Sequence, residues 1–348
     1  MDERLYLENG YLDAAWIYDL PVRHIWVIGG RGTGKTYGFL REALRRKNKF
    51  MFLRRTETQV DIIRQPAFSP FSPINADEGY NVQPFPYAPK ISAFYHAVEN
   101  EDTMKLEPSG APIGYLAAVK TFHNVRGFSA RDVDLIYFDE FVREPTERRI
   151  KGEPAALWNA LETINRNREL EGLPSAKFIA CSNAEDIAND YFVDLGLVTV
   201  AEKMVIKGES VKVLRDREMA IVILQGSPIS EAKADTALYK MTKGTGFAQM
   251  ALDNSFRVDF DAYRSRPIGE YRPVVTVGEL TVYKHKSNGR YYVTPHRAGN
   301  PPVYTMSDAD QRRFKVTHRW LAAAYMRGII DFESYFCESL LYKYLDMR

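Results

Sequence analysis

Short runs of consecutive apolar residues recur along the first two thirds of the chain and predict the strands of a buried sheet. The clearest runs cover residues 24–28, 49–53, 133–138, 177–183 and 219–224, with weaker ones at 91–98, 114–121 and 211–214. Strands that are apolar on both faces are typical of parallel sheets, because helices cover both sides of such sheets. Helical spacing at 37–46 and 154–168 places helices between these strands, so the pattern predicts an α/β fold.

The pattern changes after residue 226. Residues 229–243 have helical character, while 274–277, 280–285 and 290–294 alternate as strands around a turn at 287–289, and helices follow at 308–327 and 332–344. We therefore predict an α/β domain over 1–226, a helical linker over 227–257 and a small α+β domain over 258–348. Six prolines between 66 and 90 predict a loop excursion, because proline is excluded from helix interiors and central strands.

Composition limits the class of protein. The chain has 348 residues, enough for two domains, and its 45% hydrophobic and 26% charged residues are ordinary for a globular protein. No apolar run approaches the roughly 18 residues that cross a bilayer. Cys181 and Cys337 are too few for a disulfide framework, and the first residues lack the pattern of a secretory signal. We therefore expect a protein of the reducing cytoplasm.

The first apolar run leads into a segment with the pattern G-x-x-x-x-G-K-T, which we call the P-loop. It comprises Gly29, Gly30, Arg31, Gly32, Thr33, Gly34, Lys35 and Thr36. A triphosphate needs several backbone N–H groups aimed at one point, and glycines permit the turns that place these groups before a helix N-terminus. The segment predicts an ATP site in which Lys35 contacts the β- and γ-phosphates and the Thr36 hydroxyl binds Mg²⁺.

The run at 133–138 ends in Asp139 and Glu140, the arrangement of a Walker B strand. In a parallel sheet the carboxyl end of this strand lies beside the P-loop, so we expect Asp139 to hold Mg²⁺. Glu140 is placed to orient and deprotonate the attacking water. The alternative interpretation is a helix cap followed by a surface acid.

Polar residues end two further elements. Arg166 and Arg168 lie at the end of the helix at 154–168, where they either complement the helix C-terminus in solvent or one of them supplies an arginine finger, in cis or across a subunit interface. Ser182 and Asn183 end the strand at 177–183, where they either contact the γ-phosphate or the attacking water, or form a plain turn. The residues alone leave both choices open.

Two broader regions carry weaker signals. Tyr11, Trp16 and Tyr18 precede the P-loop and either stack on the adenine base or pack in the core. Residues 271–320 contain nine Lys or Arg against three acids, a net charge of +6 in a chain whose net charge is +2. This segment either faces nucleic-acid phosphates or is a solvated basic face.

Together these motifs resemble those of the DNA-packaging ATPases of small tailed bacteriophages, the podovirus encapsidation motors of the Bacillus-phage type. The likeness spans nearly the whole chain. The matching segments are the P-loop, Leu53-Arg54-Arg55, Phe138-Asp139-Glu140-Phe141-Val142-Arg143-Glu144, Arg166-Asn167-Arg168-Glu169, Ser182-Asn183-Ala184 and Ala322-Ala323-Ala324-Tyr325-Met326-Arg327-Gly328. The proline-rich segment 66–90 does not map onto this family.

The resemblance implies an ATP-driven translocase of double-stranded DNA that packages a phage genome into a preformed procapsid. It implies an ATPase domain of the additional-strand, catalytic-glutamate (ASCE) division, with a C-terminal domain of degenerate RNase H-like nuclease fold. It also implies a homopentameric ring, docked on the procapsid portal in the host cytoplasm, and leaves open whether a packaging RNA takes part. By the same resemblance Arg166 is a trans-acting arginine finger, and Arg126 is a second basic residue that acts across the interface.

Three other functions share some of these features. Another P-loop ring motor, such as a helicase or a secretion ATPase, is the nearest rival, and the C-terminal half of the chain favours packaging over it. A terminase-like nuclease needs several carboxylates on adjacent strands to hold two metals, but 274–277 and 280–285 contain none. A nucleotide-binding assembly factor without enzymatic activity would not need Glu140 or Arg166.

Overall fold

The structure is a computed structural model, and it describes residues 2–122, 130–144, 147, 150, 152–183, 186–245, 248 and 263–347. The chain divides into two compact units. The first unit contains residues 1–186 and 207–257, and the second contains residues 187–206 and 258–348.

Within the described residues the first unit is built on a nine-stranded sheet. Its strands are β1 (His24–Gly29), β2 (Phe50–Arg54), β3 (Val82–Ala88), β4 (Ile91–Asn100), β5 (Lys105–Ala118), β6 (Leu135–Asp139), β7 (Lys177–Asn183), β8 (Val211–Leu214) and β9 (Met219–Ile223). They lie in the order β3-β4-β5-β2-β6-β7-β1-β9-β8. The strands from β5 to β9 in that order are parallel, and β3, β4 and β8 run antiparallel to their neighbours. The predicted, mainly parallel α/β sheet is confirmed.

Helices connect these strands. In the described part of the chain before the second sheet they are α1 (Ala14–Tyr18), α2 (Lys35–Arg45), α3 (Glu57–Ile63), α4 (Ser72–Glu78), α5 (Val119–Phe122), α6 (Glu153–Asn165), α7 (Asp190–Asp194), α8 (Val198–Lys207), α9 (Pro228–Ala234) and α10 (Ala237–Met241). The single helix that we predicted over 229–243 is instead two short helices. Thr236 is extended between them, with φ −75° and ψ 157°, and interrupts the helical hydrogen bonds.

The parallel strands all begin on one side of the sheet and end on the opposite side. The strands begin at what we call the amino edge, at His24, Phe50, Leu135 and Lys177, and they end at the carboxyl edge. The register places Gly29 beside Asn183 and Asp139 beside Cys181 at the carboxyl edge. Side chains that follow these strands therefore meet at one side of the sheet.

The proline-rich segment 66–90 is not the loop that we predicted. It contains α4 and the edge strand β3. Pro73 lies in the first turn of α4, where its missing N–H costs nothing, and Pro84 and Pro86 lie in β3, which pairs on one side only. The prolines thus occupy the positions in a helix and a sheet that tolerate them, and the prediction failed because it considered helix interiors and central strands but not the first turn of a helix or an edge strand.

The second unit contains a five-stranded sheet within its described residues. Its strands are β10 (Tyr271–Val277), β11 (Leu280–His285), β12 (Tyr291–Thr294), β13 (Val303–Tyr304) and β14 (Ile330–Phe332), in the order β13-β10-β11-β12-β14. The helices α11 (Asp308–Thr317), α12 (Trp320–Met326) and α13 (Tyr335–Tyr344) cover it. The three antiparallel strands were predicted. The helix predicted over 308–327 is interrupted at His318, and β14 was not anticipated.

Residues 187–206 group with the second unit, although the predicted domain boundary at 226 assigned them to the first. Glu202 on α8 accepts a hydrogen bond from the Tyr335 backbone at 3.0 Å, and Asp190 lies 3.8 Å from Lys343. The partners of α7 and α8 are thus more than a hundred residues away in sequence, where composition gives no signal. Among the described residues, no helix is long and apolar enough to cross a membrane.

Candidate functional site

The P-loop links β1 to α2 at the carboxyl edge, as its sequence predicts. Gly32 and Gly34 have φ angles of +67° and +89°, which side-chain-bearing residues rarely adopt. A Cβ at Gly29 would lie 2.6 Å from the Leu224 side chain, so this position has no room for another residue. The hydroxyl of Thr33 donates to the Gly30 carbonyl at 3.2 Å and closes the turn.

Lys35 lies inside the P-loop. Its ammonium donates to the carbonyls of Gly29 at 3.1 Å and Gly30 at 2.6 Å, and only 8% of the residue is exposed. Burial lowers the pKa of Lys35 to about 8, since desolvation disfavours the charged form. The loop therefore encloses a cation at the helix N-terminus, where an anionic group would bind.

Thr36 and Asp139 meet across the carboxyl edge. The Thr36 hydroxyl lies 3.1 Å from Oδ2 of Asp139, and the Tyr137 hydroxyl donates to Oδ1 of Asp139 at 3.1 Å. Asp139 is 6% exposed. A hydroxyl and a carboxylate are the oxygen donors that Mg²⁺ takes in such sites, usually with several waters. The donor set fits the magnesium ion that the sequence predicted.

Glu140 follows the last residue of β6. Its φ angle is +56°, in the left-handed region that non-glycine residues seldom occupy, and such strain is often found at functional sites. Burial raises the pKa of Glu140, and the nearby Asp139 carboxylate adds to the increase. A carboxylate with a raised pKa is a stronger base, which suits the role that we expected of it.

Arg54 holds both acids of the Walker B strand. From the end of β2 its guanidinium donates to Oδ2 of Asp139 at 2.8 Å and lies 3.2 Å from a carboxylate oxygen of Glu140. Arg54 belongs to one of the segments that carry the family resemblance, but no role for it was predicted. The available signal was its position at the carboxyl end of a buried strand, the same signal that identified Asp139.

Arg31 of the P-loop forms an ion pair with the residues that follow the Walker B strand. We call residues 141–147 the Walker B segment. Its guanidinium donates to Glu144 at 2.6 Å, and both side chains are largely exposed. Glu144 in turn lies next to Glu147, because its backbone N–H donates to that carboxylate at 3.2 Å. The P-loop and the Walker B segment thus share an ion pair at their outer surface.

A second arginine, Arg55, pairs with Glu147 of the Walker B segment and with Glu153 at the start of α6. Arg55, 1% exposed, donates twice to Glu153 at 2.6 and 2.8 Å and also pairs with Glu147. Glu153 is 2% exposed and opens α6. This buried pair fixes the start of α6 relative to β2, so its role is to position the segment rather than to contact a ligand.

Ser182 and Asn183 end β7 beside the P-loop. The Ser182 hydroxyl accepts a hydrogen bond from the Val142 backbone at 3.1 Å and so supports the Walker B segment. Asn183 pairs in register with Gly29, the first residue of the P-loop, and its side chain is partly exposed. Of the two, Asn183 has the more accessible polar group at the carboxyl edge.

Arg166 lies near the amino edge of the sheet, whereas the P-loop lies at the carboxyl edge. It caps the C-terminus of α6, with φ +41° and an exposed side chain. The preceding Asn165 accepts from the backbone of Ala176, just before β7, at 2.8 Å. Arg168 is buried and donates to the carbonyl of Val133, just before β6, at 2.7 Å.

These contacts place the end of α6 at the amino edge, whereas the P-loop lies at the carboxyl edge. The five residues of β6 separate the amino edge from the carboxyl edge by roughly 13 Å, at a rise of about 3.3 Å per residue. Arg166 and Lys35 of one subunit are therefore not brought together. Arg168 is a structural residue that satisfies backbone carbonyls. Arg126 lies outside the described residues.

The three aromatic residues before the P-loop separate in the structure. Tyr18 lies under Arg46 and Lys177 near the amino edge, and Trp16 packs against the core of the first unit. Tyr11 lies against the P-loop, where a Cβ at Gly34 would be 3.1 Å from its ring. Of the three, Tyr11 is the one that lies next to the P-loop, and it is 41% exposed.

Several acids of the second unit are engaged by other side chains. Asp331 accepts two hydrogen bonds from Arg290, at 2.7 and 3.1 Å, and Glu338 accepts one from Tyr325 at 2.7 Å. Glu333 pairs with the Thr294 hydroxyl and lies 3.5 Å from His296. Among the described residues no group of three or more His, Cys, Asp and Glu side chains is arranged to hold a metal ion.

Comparison with known proteins adds to this geometry. The family model described as podovirus DNA encapsidation protein (Gp16) matches residues 113–348, more than half of the chain. A second model, described as terminase large subunit, T4likevirus-type, N-terminal, matches residues 27–152. The second match includes both the P-loop and the Walker B strand.

Relatives align over nearly the whole chain. The DNA packaging protein of Bacillus phage phi29 is 25% identical over 345 residues, covering 91% of this chain and 92% of the relative. The DNA packaging protein of Bacillus phage B103 is 25% identical over 342 residues, covering 91% and 95%.

Two solved structures share the fold. One is the bacteriophage Phi-29 viral genome packaging motor assembly, with a TM-score of 0.65 and 19% identity over 96% of this chain and 98% of the other. The second is the Phi-28 gp11 DNA packaging motor, with a TM-score of 0.63 and 18% identity over 97% and 98%. The likeness extends across both units.

Proposed function

The chain belongs to the podovirus DNA encapsidation protein (Gp16) family, and we propose that it is the ATP-driven motor that packages a phage genome into a preformed procapsid. One observation carries the proposal: Lys35, Thr36, Asp139 and Glu140 converge at the carboxyl edge of the sheet, where the sequence predicts an ATPase site. The alignment with relatives named DNA packaging protein supplies the use to which such an ATPase is put.

The P-loop would hold the phosphates of ATP, with its backbone N–H groups and Lys35 as donors, and Thr36 and Asp139 would hold Mg²⁺. Bound in this way, the nucleotide would supply the phosphoryl group that passes to water, and Mg²⁺ would neutralise charge on it. Asn183 contributes a polar side chain beside Gly29. Ser182 contributes by keeping the Walker B segment in place through Val142.

Glu140 accepts the proton of the attacking water. Its raised pKa supports this role, and because it directly follows Asp139 the base lies next to the metal ligand. Arg54 holds Glu140 and Asp139 in the arrangement described above and neutralises part of their charge. Arg54 is thus a positioning residue for the two acids.

Arg166 serves the site of a neighbouring subunit. Its location at the amino edge of its own sheet supports this assignment, because a finger that acted in cis would have to lie at the carboxyl edge. An exposed arginine after a helix can reach into an adjacent P-loop site, where it meets charge that develops on the transferring phosphoryl group. The proposal includes Arg126 as a second basic residue at this interface.

The second unit binds nucleic acid without cutting it. Its segment 271–320 carries the net charge of +6, and acids such as Asp331, Glu333 and Glu338 are held by arginine, threonine and tyrosine side chains. Strands β10 to β12 form an antiparallel meander, and β13 pairs in parallel with β10. This order is compatible with the degenerate RNase H-like fold that the resemblance implies.

The assembly follows from the same reasoning. A trans-acting Arg166 requires a head-to-tail contact between copies, and such contacts close into rings when the rotation allows. We propose a homo-oligomeric ring, a pentamer, that docks transiently on the procapsid portal in the host cytoplasm and acts on double-stranded DNA. A packaging RNA remains a candidate further partner of this ring.

A strand-displacement measurement tests the function. The purified chain should use ATP to strip a triplex-forming oligonucleotide from double-stranded DNA, while Lys35→Ala should bind the same DNA and leave the triplex intact. ATP turnover without displacement, at protein concentrations where rings form, would contradict translocation and leave only an ATPase.

A further inference from the structure

Lys233 reaches the P-loop from a distant part of the chain. It lies on α9, and its ammonium donates to the carbonyl of Arg31 at 2.9 Å and to that of Gly32 at 3.0 Å. A Cβ at Gly32 would lie 2.3 Å from the Lys233 nitrogen, so the two are in direct contact. No motif includes Lys233, and no role for it was predicted from the sequence.

The other P-loop carbonyls are also occupied by donors. Lys35 donates to those of Gly29 and Gly30, and the Leu12 backbone N–H donates to that of Thr33 at 2.9 Å. Five consecutive carbonyls, from residue 29 to residue 33, thus accept hydrogen bonds. Lys233 is the hydrogen-bond donor to the carbonyls of Arg31 and Gly32.

The planarity of the peptide bond gives these contacts a consequence. In a trans peptide the carbonyl and the following N–H point in opposite directions. Fixing the carbonyls of Arg31 and Gly32 against Lys233 therefore fixes the N–H groups of Gly32 and Thr33 away from it. Successive N–H groups turned to one side form an anion-binding concavity, which is how a P-loop binds phosphates.

Contacts at the start of α9 hold the helix that carries Lys233 in place. Ser227 caps α9, and the Tyr6 hydroxyl donates to the carbonyl of Gly226, just before this helix, at 2.5 Å. Pro228 and Ile229 lie 3.0 Å from the Cβ position of Gly10, so the N-terminal segment packs on the start of α9. The ammonium is partly buried, and desolvation lowers the pKa of Lys233.

We propose that Lys233 is a positioning residue of the nucleotide site. It holds the carbonyls of Arg31 and Gly32 so that the N–H groups of Gly32 and Thr33 face the bound phosphates. This inference rests on the proposed function. It also means that the segment after β9, which leads in sequence to the second unit, carries a residue on which nucleotide affinity depends.

The test compares four variants of the full chain: Lys233→Met, Lys233→Arg, Lys240→Met and Lys35→Ala. Lys240 is the matched control, because it lies one helix further on, is exposed and pairs loosely with Asp235 at 3.7 Å. Affinity for a fluorescent ATP analogue, kcat, KM and the thermal unfolding temperature are measured for each.

Lys233→Met should raise Kd and KM for ATP about tenfold or more, the effect of losing charged hydrogen bonds, while kcat changes less than about threefold. Lys233→Arg should restore most of the affinity, because a guanidinium can still donate to both carbonyls. The inference is overturned if Lys233→Met binds ATP as tightly as Lys240→Met, or if its affinity loss is not restored by arginine and only follows a lowered unfolding temperature. Failure of the wild type to bind ATP, or wild-type affinity in Lys35→Ala, would instead remove the proposed function itself.

Discussion

The guanidinium of Arg54 lies 2.8 Å from Oδ2 of Asp139, so the last residue of β2 and the last residue of β6 form an ion pair at the carboxyl edge of the sheet. The same guanidinium is 3.2 Å from Glu140. One arginine therefore contacts both the proposed metal ligand and the proposed base, and its charge lowers the pKa of Glu140.

This relationship predicts a pH effect. Burial raises the pKa of Glu140 and Arg54 opposes the increase, so removal of Arg54 should raise that pKa further. Because the base must be deprotonated to act, the acid limb of kcat/KM against pH should lie above the range of an ordinary glutamate and move to higher pH in Arg54→Ala. Arg41→Ala, which removes a surface ion pair with Glu78, is the control and should leave the limb in place. An unshifted limb in Arg54→Ala would contradict the contact.

Glu140 should matter for turnover and little for binding. Glu140→Gln keeps the size of the side chain and removes the base, and loss of a general base typically lowers the rate ~10² to 10⁴-fold. Affinity for ATP should stay within a few-fold of wild type, since Lys35 and Thr36 are untouched. Turnover and fluorescent-nucleotide binding are measured on the same preparations. Turnover close to wild type would assign the base elsewhere.

The buried pair between Arg55 and Glu153 should contribute strongly to stability. Arg55→Met removes the guanidinium that neutralises the buried Glu153 carboxylate, a change that typically costs about 3 to 5 kcal/mol. Arg41→Met removes a surface pair and should cost no more than about 1 kcal/mol. Urea unfolding of both variants gives the comparison. The double variant Arg55→Met with Glu153→Met should recover part of the loss, and equal effects of the two single variants would show that the buried pair has no special weight.

The second unit should bind duplex DNA through its charge. Binding by the full chain should weaken steeply as salt rises, because each neutralised phosphate releases counterions. Arg297 and Arg312 are exposed, and replacing either by glutamine should weaken binding to all sequences alike and reduce the salt slope by about 1. The wild type should leave a supercoiled plasmid uncut in Mg²⁺ or Mn²⁺. Binding that is independent of salt, or nicking of the plasmid, would contradict this view of the unit.

The sequence predicted the parts of the site that follow directly from strand order. Asp139 and Asn183 end buried strands, Lys35 and Thr36 follow β1 through the P-loop, and parallel pairing brings these positions together whatever the details of packing. Arg54 has the same placement, but the segment Leu53-Arg54-Arg55 contributed only to the family resemblance and gave Arg54 no role. The contact of Lys233 with the P-loop could not be predicted, since it depends on how a short helix after the last parallel strand folds back.

The remaining differences have equally local causes. The density of prolines around Pro73, Pro84 and Pro86 predicted a loop, although the first turn of a helix and an edge strand both accept proline. The grouping of α7 and α8 with the second unit rests on pairings across more than a hundred residues, such as Glu202 with Tyr335. The choice between a cis and a trans arginine finger was open in the sequence, and the contacts at the end of α6, at the amino edge, favour trans.

The trans action of Arg166 is the central claim about how the proposed ring works, and a mixing experiment tests it most directly. Arg166→Ala and Lys35→Ala subunits should each be nearly inactive, because an arginine finger accounts for ~10³ to 10⁵ in rate and the P-loop lysine is needed for binding. In a mixed ring, some interfaces pair an intact P-loop with an intact Arg166 from the neighbour. Native mass spectrometry establishes that the two variants assemble together. We predict that mixtures recover part of the wild-type ATP turnover, with a maximum at an intermediate ratio. Confirmed mixed rings that remain inactive at every ratio would contradict the trans assignment.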